Sequence, residues 1–180
     1  MTAVIALASK FIDALSMTPR SLLLTRCAAI LTIVAAAGAT AAPADASAGT
    51  TVPLRSVLRA CDFSPIQWYS AQSDGSASSA IRAGGGTVTA EVHLSEPGSP
   101  GTHFDVRLIQ APRASNSPCG AGGPGVAVGG LDTDGGGQAT TTLQDSIQSG
   151  TTGVWVFIQR PSPYSQGPAE FYTSDFVAPV

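Results

Sequence analysis

Thr87-Val88-Thr89-Ala90-Glu91-Val92-His93-Leu94-Ser95 decides the fold. Val88, Ala90, Val92 and Leu94 fall on one side, and Thr89, Glu91, His93 and Ser95 on the other. That period of two belongs to a strand with one buried face. A second alternation follows at once, with Phe104, Val106 and Leu108 set against His103, Asp105 and Arg107. The connection from Glu96 to Thr102 holds two prolines and two glycines, so the two runs read as an antiparallel hairpin. Further on, Val154-Trp155-Val156-Phe157-Ile158 is apolar on both faces, as a central strand requires.

Working outward, shorter segments at 51–59, 66–70, 126–131, 138–143 and 171–177 read as further strands. Gly/Ser/Asp/Pro-rich stretches at 72–79, 111–125, 132–137 and 161–168 read as turns and loops. No segment keeps helical periodicity over three turns. Seven to nine short strands separated by turn signals predict an all-β chain folded as an antiparallel β-sandwich.

Composition agrees and excludes several functions. Of 180 residues only 12% are charged, while 20 are Gly and 13 are Pro, which is wrong for a helical bundle. The length fits one domain of ordinary size. A net charge of −3 without a basic cluster argues against nucleic-acid binding.

Residues 1–46 read as a secretory signal peptide and 47–180 as a single secreted domain. Arg20 and Arg26 supply the positive region, an apolar run to Ala42 follows, and Ala39-Thr40-Ala41 and Ala44-Asp45-Ala46 are cleavage candidates. A complete leader begins at Met17, which makes Met17 a candidate true start. The uncharged run from Ala28 to Ala42 falls short of the roughly 20 residues that span a bilayer, so no membrane span is expected after cleavage. Cys27 precedes the apolar run and follows Arg26, an arrangement that does not suit a lipid anchor. Beyond the leader the only thiols are Cys61 and Cys119, and an exported protein meets an oxidising compartment. One disulfide between them is expected, in preference to a metal or catalytic thiol, because no C-x-x-C spacing exists.

Four stretches taken together resemble small exported actinobacterial immunoglobulin-like β-sandwich proteins. They are Gly86-Thr-Val-Thr-Ala-Glu-Val-His-Leu, Gly129-Gly-Leu-Asp-Thr-Asp-Gly-Gly-Gly-Gln-Ala, Gly153-Val-Trp-Val-Phe-Ile and Phe171-Tyr-Thr. The similarity runs over residues 84–178 and consists of turn and strand patterns. It implies an immunoglobulin-like secreted domain and brings no catalytic residues with it.

The chemistry-bearing candidates are few. Glu91, His93, His103 and Asp105 share the outward face of the expected hairpin, where two imidazoles and two carboxylates could take Zn²⁺ or Cu²⁺. Ordinary cross-strand pairing competes with that reading: a register placing Glu91 opposite Arg107 and His93 opposite Asp105 makes two favourable pairs without an ion. Asp132-Thr133-Asp134-Gly135-Gly136-Gly137 begins like a Ca²⁺ loop, but Gly136 and Leu143 stand where further ligands belong, so a turn is expected. Trp68, Tyr69 and Tyr164, with Tyr172, could form an aromatic platform, and the loop from Pro161 to Pro168 is the best recognition element. No Gly-x-Ser-x-Gly elbow, phosphate loop or dinucleotide fingerprint is present, so neither an enzyme nor a cofactor is expected. The leading expectation is a non-catalytic module that binds a partner or ligand at the cell envelope or outside the cell. A metal-binding or redox domain comes second and an envelope-directed hydrolase third.

Overall fold

The computed structural model describes residues 49–69 and 73–180. The predicted leader, residues 1–46, therefore lies outside the described residues. Nine strands and no helix are found among the described residues. They are β1 (Thr50–Arg55), β2 (Ser76–Gly84), β3 (Thr87–Ser95), β4 (His103–Ala111), β5 (Val126–Asp132), β6 (Gln138–Ser146), β7 (Gly153–Arg160), β8 (Glu170–Ser174) and β9 (Ala178–Pro179). Every pairing is antiparallel, and the order is β5-β4-β7-β8-β1-β2-β3-β6, with β9 also on β7.

The sheet folds over on itself at one thin seam. Only Leu54↔Ser174 and Arg55↔Thr173 join β1 to β8, so β1-β2-β3-β6 and β5-β4-β7-β8 act as two facing layers. Polar residues sit at this seam because the ladder changes partners there. The Ser174 hydroxyl accepts the Val156 amide at 2.8 Å, and Thr173 donates to the Val57 carbonyl at 2.5 Å. Between the layers lies one core containing Val52, Val88, Val92, Leu94, Phe104, Val106, Leu108, Val156, Ile158 and Tyr172. Both alternations read from the sequence point their apolar residues into it.

Their pairing is another matter. The expected hairpin between the two alternating runs does not exist: β3 pairs with β2 and β6, whereas β4 pairs with β5 and β7. Residues 96–102 instead cross from one layer to the other. They are stitched to the 133–137 turn through Glu96 N–H to Gly137 O (2.7 Å) and Gly101 N–H to Thr133 O (3.0 Å). The buried Thr133 hydroxyl fixes the arch by accepting Thr102 N–H at 2.8 Å and donating to Ser99 O at 2.5 Å. Two strands that each need to bury one face can do so by facing each other as readily as by lying side by side.

Two further expectations fail locally. The stretch read as a loop at 72–79 runs into β2, whose inward residues Ala77, Ser79, Ile81 and Ala83 are too small and too mixed to show as an apolar stripe. Pairing on both sides, with β1 and β3, supplies the order that side chains do not. The described part of the stretch read as a strand at 66–70, residues 66–69, forms no strand; the isolated bridge Arg59↔Pro65 lies nearby.

β7 is central, as its sequence demands, but its second apolar face is covered without another sheet. Trp155 and Phe157, with Ile109 on β4 and Phe171 on β8, point away from the main core into a second cluster. Leu58, Cys61, Phe63 and Tyr69 of one loop, Cys119 of another and Ala111 at the end of β4 close over them. Cys61 and Cys119 are disulfide-bonded across the top, with Cα atoms 5.5 Å apart. Phe63 adopts φ 72°, an uncommon state for an aromatic residue. Its ring is gripped between the Arg59 guanidinium, 4.0 Å above the ring centre, and Trp155, whose ring centre is 5.4 Å away.

Replacing Cys61 and Cys119 together by serine should lower the unfolding free energy by about 4 kcal/mol in urea titrations, because both lid loops lose their tether. An unchanged midpoint would show that the lid holds without the bond.

Candidate functional site

The four residues considered for a metal are not assembled. Glu91 and His93 lie on the outer face of β3, while His103 and Asp105 lie on the outer face of β4, in the opposite layer. Since both strands turn their other faces to the common core, the two pairs look away from each other. His93 Nε2 is 3.5 Å from Glu91, which also faces Arg82 at 3.7 Å, and His93 Nδ1 is 3.1 Å from the Thr140 hydroxyl. His103 is held between Asp132 at 2.7 Å and Asp105 at 3.6 Å. The Asp132 hydrogen bond is the main reason that the His103 imidazole is raised above its usual pKa. No group of three His, Cys, Asp or Glu is placed to hold a metal ion among the described residues. Asp134 is occupied as a turn cap: its carboxylate accepts the Gly136 and Gln138 amides, each at 2.8 Å, which lowers its pKa.

Thr140, His93 and Glu91 stand in the order hydroxyl, imidazole, carboxylate on an open sheet face. Nucleophilic catalysis also needs free donors for a developing oxyanion. β3 lies between β2 and β6, so its backbone is committed to ladders on both sides. Ordinary cross-strand pairing accounts for these contacts.

The aromatic residues divide into anchors and free rings. Tyr69 is half-buried; its hydroxyl donates to Pro168 O at 2.7 Å, and its ring packs near Phe171 at 6.0 Å and against Gly167. Tyr69 thus ties the 66–69 segment to the 161–169 loop. Tyr172 belongs to the core. Trp68 and Tyr164, on the two tied loops, are 84% and 96% exposed. Ser162 shapes the second loop by accepting the Tyr164 and Ser165 amides, both at 3.1 Å. Neither 65–69 nor 161–169 carries a charged side chain. Large exposed rings, one on an internally bonded loop and one beside the anchored Tyr69, offer stacking area at small cost in ordering entropy.

Beneath these loops lies a cluster that no sequence pattern announced. Glu96 and Glu170 are each 3% exposed, and Tyr172 is 1% exposed. The Tyr172 hydroxyl bonds both Glu96 Oε2 and, at 2.8 Å, Glu170 Oε1. Arg160 Nε donates to the other Glu170 oxygen at 3.2 Å. Burial first, and Glu96 next, raise the Glu170 carboxyl above its ordinary pKa; burial and the two acids push Tyr172 far up. Two acids flanking a glycosidic bond must be reachable by the substrate. These two are sealed in and tied to the same hydroxyl, which suits a structural or regulatory role.

Among the described residues, no helix is long and apolar enough to cross a membrane.

Two variants separate anchors from free rings. Tyr69→Phe should cost about 1 kcal/mol in urea unfolding by removing the bond to Pro168. Trp68→Ala with Tyr164→Ala should stay within about 0.5 kcal/mol of the parent, as exposed sites do. A large loss in the double variant would make those rings structural.

No family model matches the chain, and no curated protein or solved structure matches it.

Proposed function

We propose that the chain is an exported, non-catalytic module of immunoglobulin-like architecture. It binds a partner or ligand at the cell envelope or outside the cell, through the loops bearing Trp68 and Tyr164. The observation that carries this reading is the exposure of these two rings, 84% and 96%, on loops joined by Tyr69 and set on a covalently stapled sandwich. Binding residues favour loops held by a rigid scaffold. A disulfide in a domain with so few charged residues fits an oxidising compartment, as does the signal-peptide pattern ahead of it. The two-layer antiparallel order with a crossover arch is compatible with the immunoglobulin-like resemblance. The metal-binding alternative finds no support in the placement of its four residues, and a hydrolase reading finds none in the sealed acid pair.

The test is retention of the protein on isolated cell envelope and on material from the culture medium. Parent protein should be retained, and Trp68→Ala with Tyr164→Ala should cut retention at least about tenfold, the loss of roughly 1.4 kcal/mol. Raised salt should leave retention nearly unchanged, because neither loop is charged. Equal retention of parent and double variant would overturn the reading.

A further inference from the structure

Hydrogen counting around Tyr172 leads to a device in the fold. A phenol has one proton to donate, and an ionised carboxylate can only accept. The Tyr172 hydroxyl nevertheless bonds a carboxyl oxygen of Glu96 and one of Glu170. It donates to one of them; the other must donate back and therefore carries a proton. Arg160 faces Glu170 from β7 and balances one negative charge, so among the described residues a second carboxylate in the same buried space has no counter-ion. Glu96, Arg160 and Tyr172 are the charged or titratable groups facing Glu170 among the described residues, from the arch, β7 and β8 respectively. The β2 end contributes Gly75 and the 133–137 turn contributes Gly137, neither of which titrates.

The cluster lies at the root of the 161–169 loop, to which Tyr69 ties the segment carrying Trp68. Glu170 begins β8, directly after the 161–169 loop, and that loop is closed by Arg160↔Glu170 and by Ala169 N–H to Arg160 O at 2.9 Å. Gly75, immediately before β2, packs against the same cluster. A Cβ there would stand 2.7 Å from the Tyr172 hydroxyl and closer still to the Glu96 carboxylate. Separating the acids therefore moves the root of the 161–169 loop, and the Tyr69 bond to Pro168 passes that movement to the segment carrying Trp68.

We propose that Glu96, Tyr172 and Glu170 form a one-proton latch that holds the Trp68 and Tyr164 loops in register, so that loss of the proton loosens both loops and weakens whatever they bind. The consequence for binding rests on the loop reading proposed above; the latch itself does not. Its sign follows from the direction of the Glu170 shift. A carboxyl raised in the folded state stabilises that state below its unfolded pKa, and this stabilisation is lost as the pH rises through the raised value. The latch is closed in acid and opens toward alkali.

The experiment is backbone amide exchange of the 161–169 loop and residues 67–69, corrected for intrinsic base catalysis, between about pH 4 and about pH 9. Parent protein should show at least about tenfold loss of protection in both segments as the pH rises, while β3 and β7 amides stay protected. Glu170→Gln replaces the acid by a neutral amide that still donates to the Tyr172 oxygen, so its protection should be flat with pH. Tyr172→Phe should be loose at every pH. Flat protection in the parent, or the same pH profile in Glu170→Gln, would overturn the latch. Envelope retention at the two ends of the range reads the other link. A pH-dependent exchange profile with retention that ignores Trp68 and Tyr164 leaves the latch standing and removes the binding reading.

Discussion

The bond between Cys61 and Cys119 makes the arrangement around β7 possible. Trp155 and Phe157 present a large aromatic surface on the side of β7 away from the main core, with Phe171 and Ile109 beside them. Exposed, that surface would be an aggregation hazard on a flat sheet. Of the two loops that cover it, the one holding Cys119 is rich in Gly, Pro and Ser and has little apolar area of its own with which to stay down, while the one holding Cys61 supplies Leu58, Phe63 and Tyr69. Tethering them to each other removes chain entropy from the unfolded state and lets a few contacts, such as Phe63 on Trp155, suffice. The same lid carries Tyr69, and Tyr69 in turn positions the 161–169 loop. Staple, aromatic lid and candidate binding loops are thus one mechanical chain.

The two layers meet in a different way at each place. At the β1–β8 seam, Ser174 and Thr173 supply side-chain hydrogen bonds where the ladder is short. At the crossover, Thr133 ties the arch to the turn before β6. At the loop roots, the two acids and Tyr172 close the remaining gap. Each site buries polar groups, and each except the last satisfies them with neutral partners. The exception is where the interior responds to protons.

Much of this was legible in the sequence and some was not, for identifiable reasons. The alternation in β3 and β4, the doubly apolar β7 and the cysteine pair each state a local requirement that nothing elsewhere overrides. Strand partnership is not local: Val88 to Leu94 and Phe104 to Leu108 are buried whether the strands lie side by side or face to face. Without that partnership, Glu91, His93, His103 and Asp105 looked like one site when they occupy two surfaces. β2 escaped notice because Ser76-Ala77-Ser78-Ser79 has loop composition and gains its order from two neighbours. Trp68, Tyr69 and Tyr164 were legible as candidates from residue type, while their division into one anchor and two free rings required the fold. Glu96, Glu170 and Tyr172 come together only through the arch and the β8 ladder. A Pro following Glu96, and a Glu two residues before Tyr172, gave no periodic signal to find them by.

Trp155 offers the most direct check on the central claim. Its indole Nε1–H is fully buried with no hydrogen-bond partner among the described residues, so the lid above it governs the exchange of that proton. The account predicts a strongly protected indole proton in the oxidised protein and rapid exchange after reduction, with the β3 amides still protected. An indole proton equally protected in both states would contradict it.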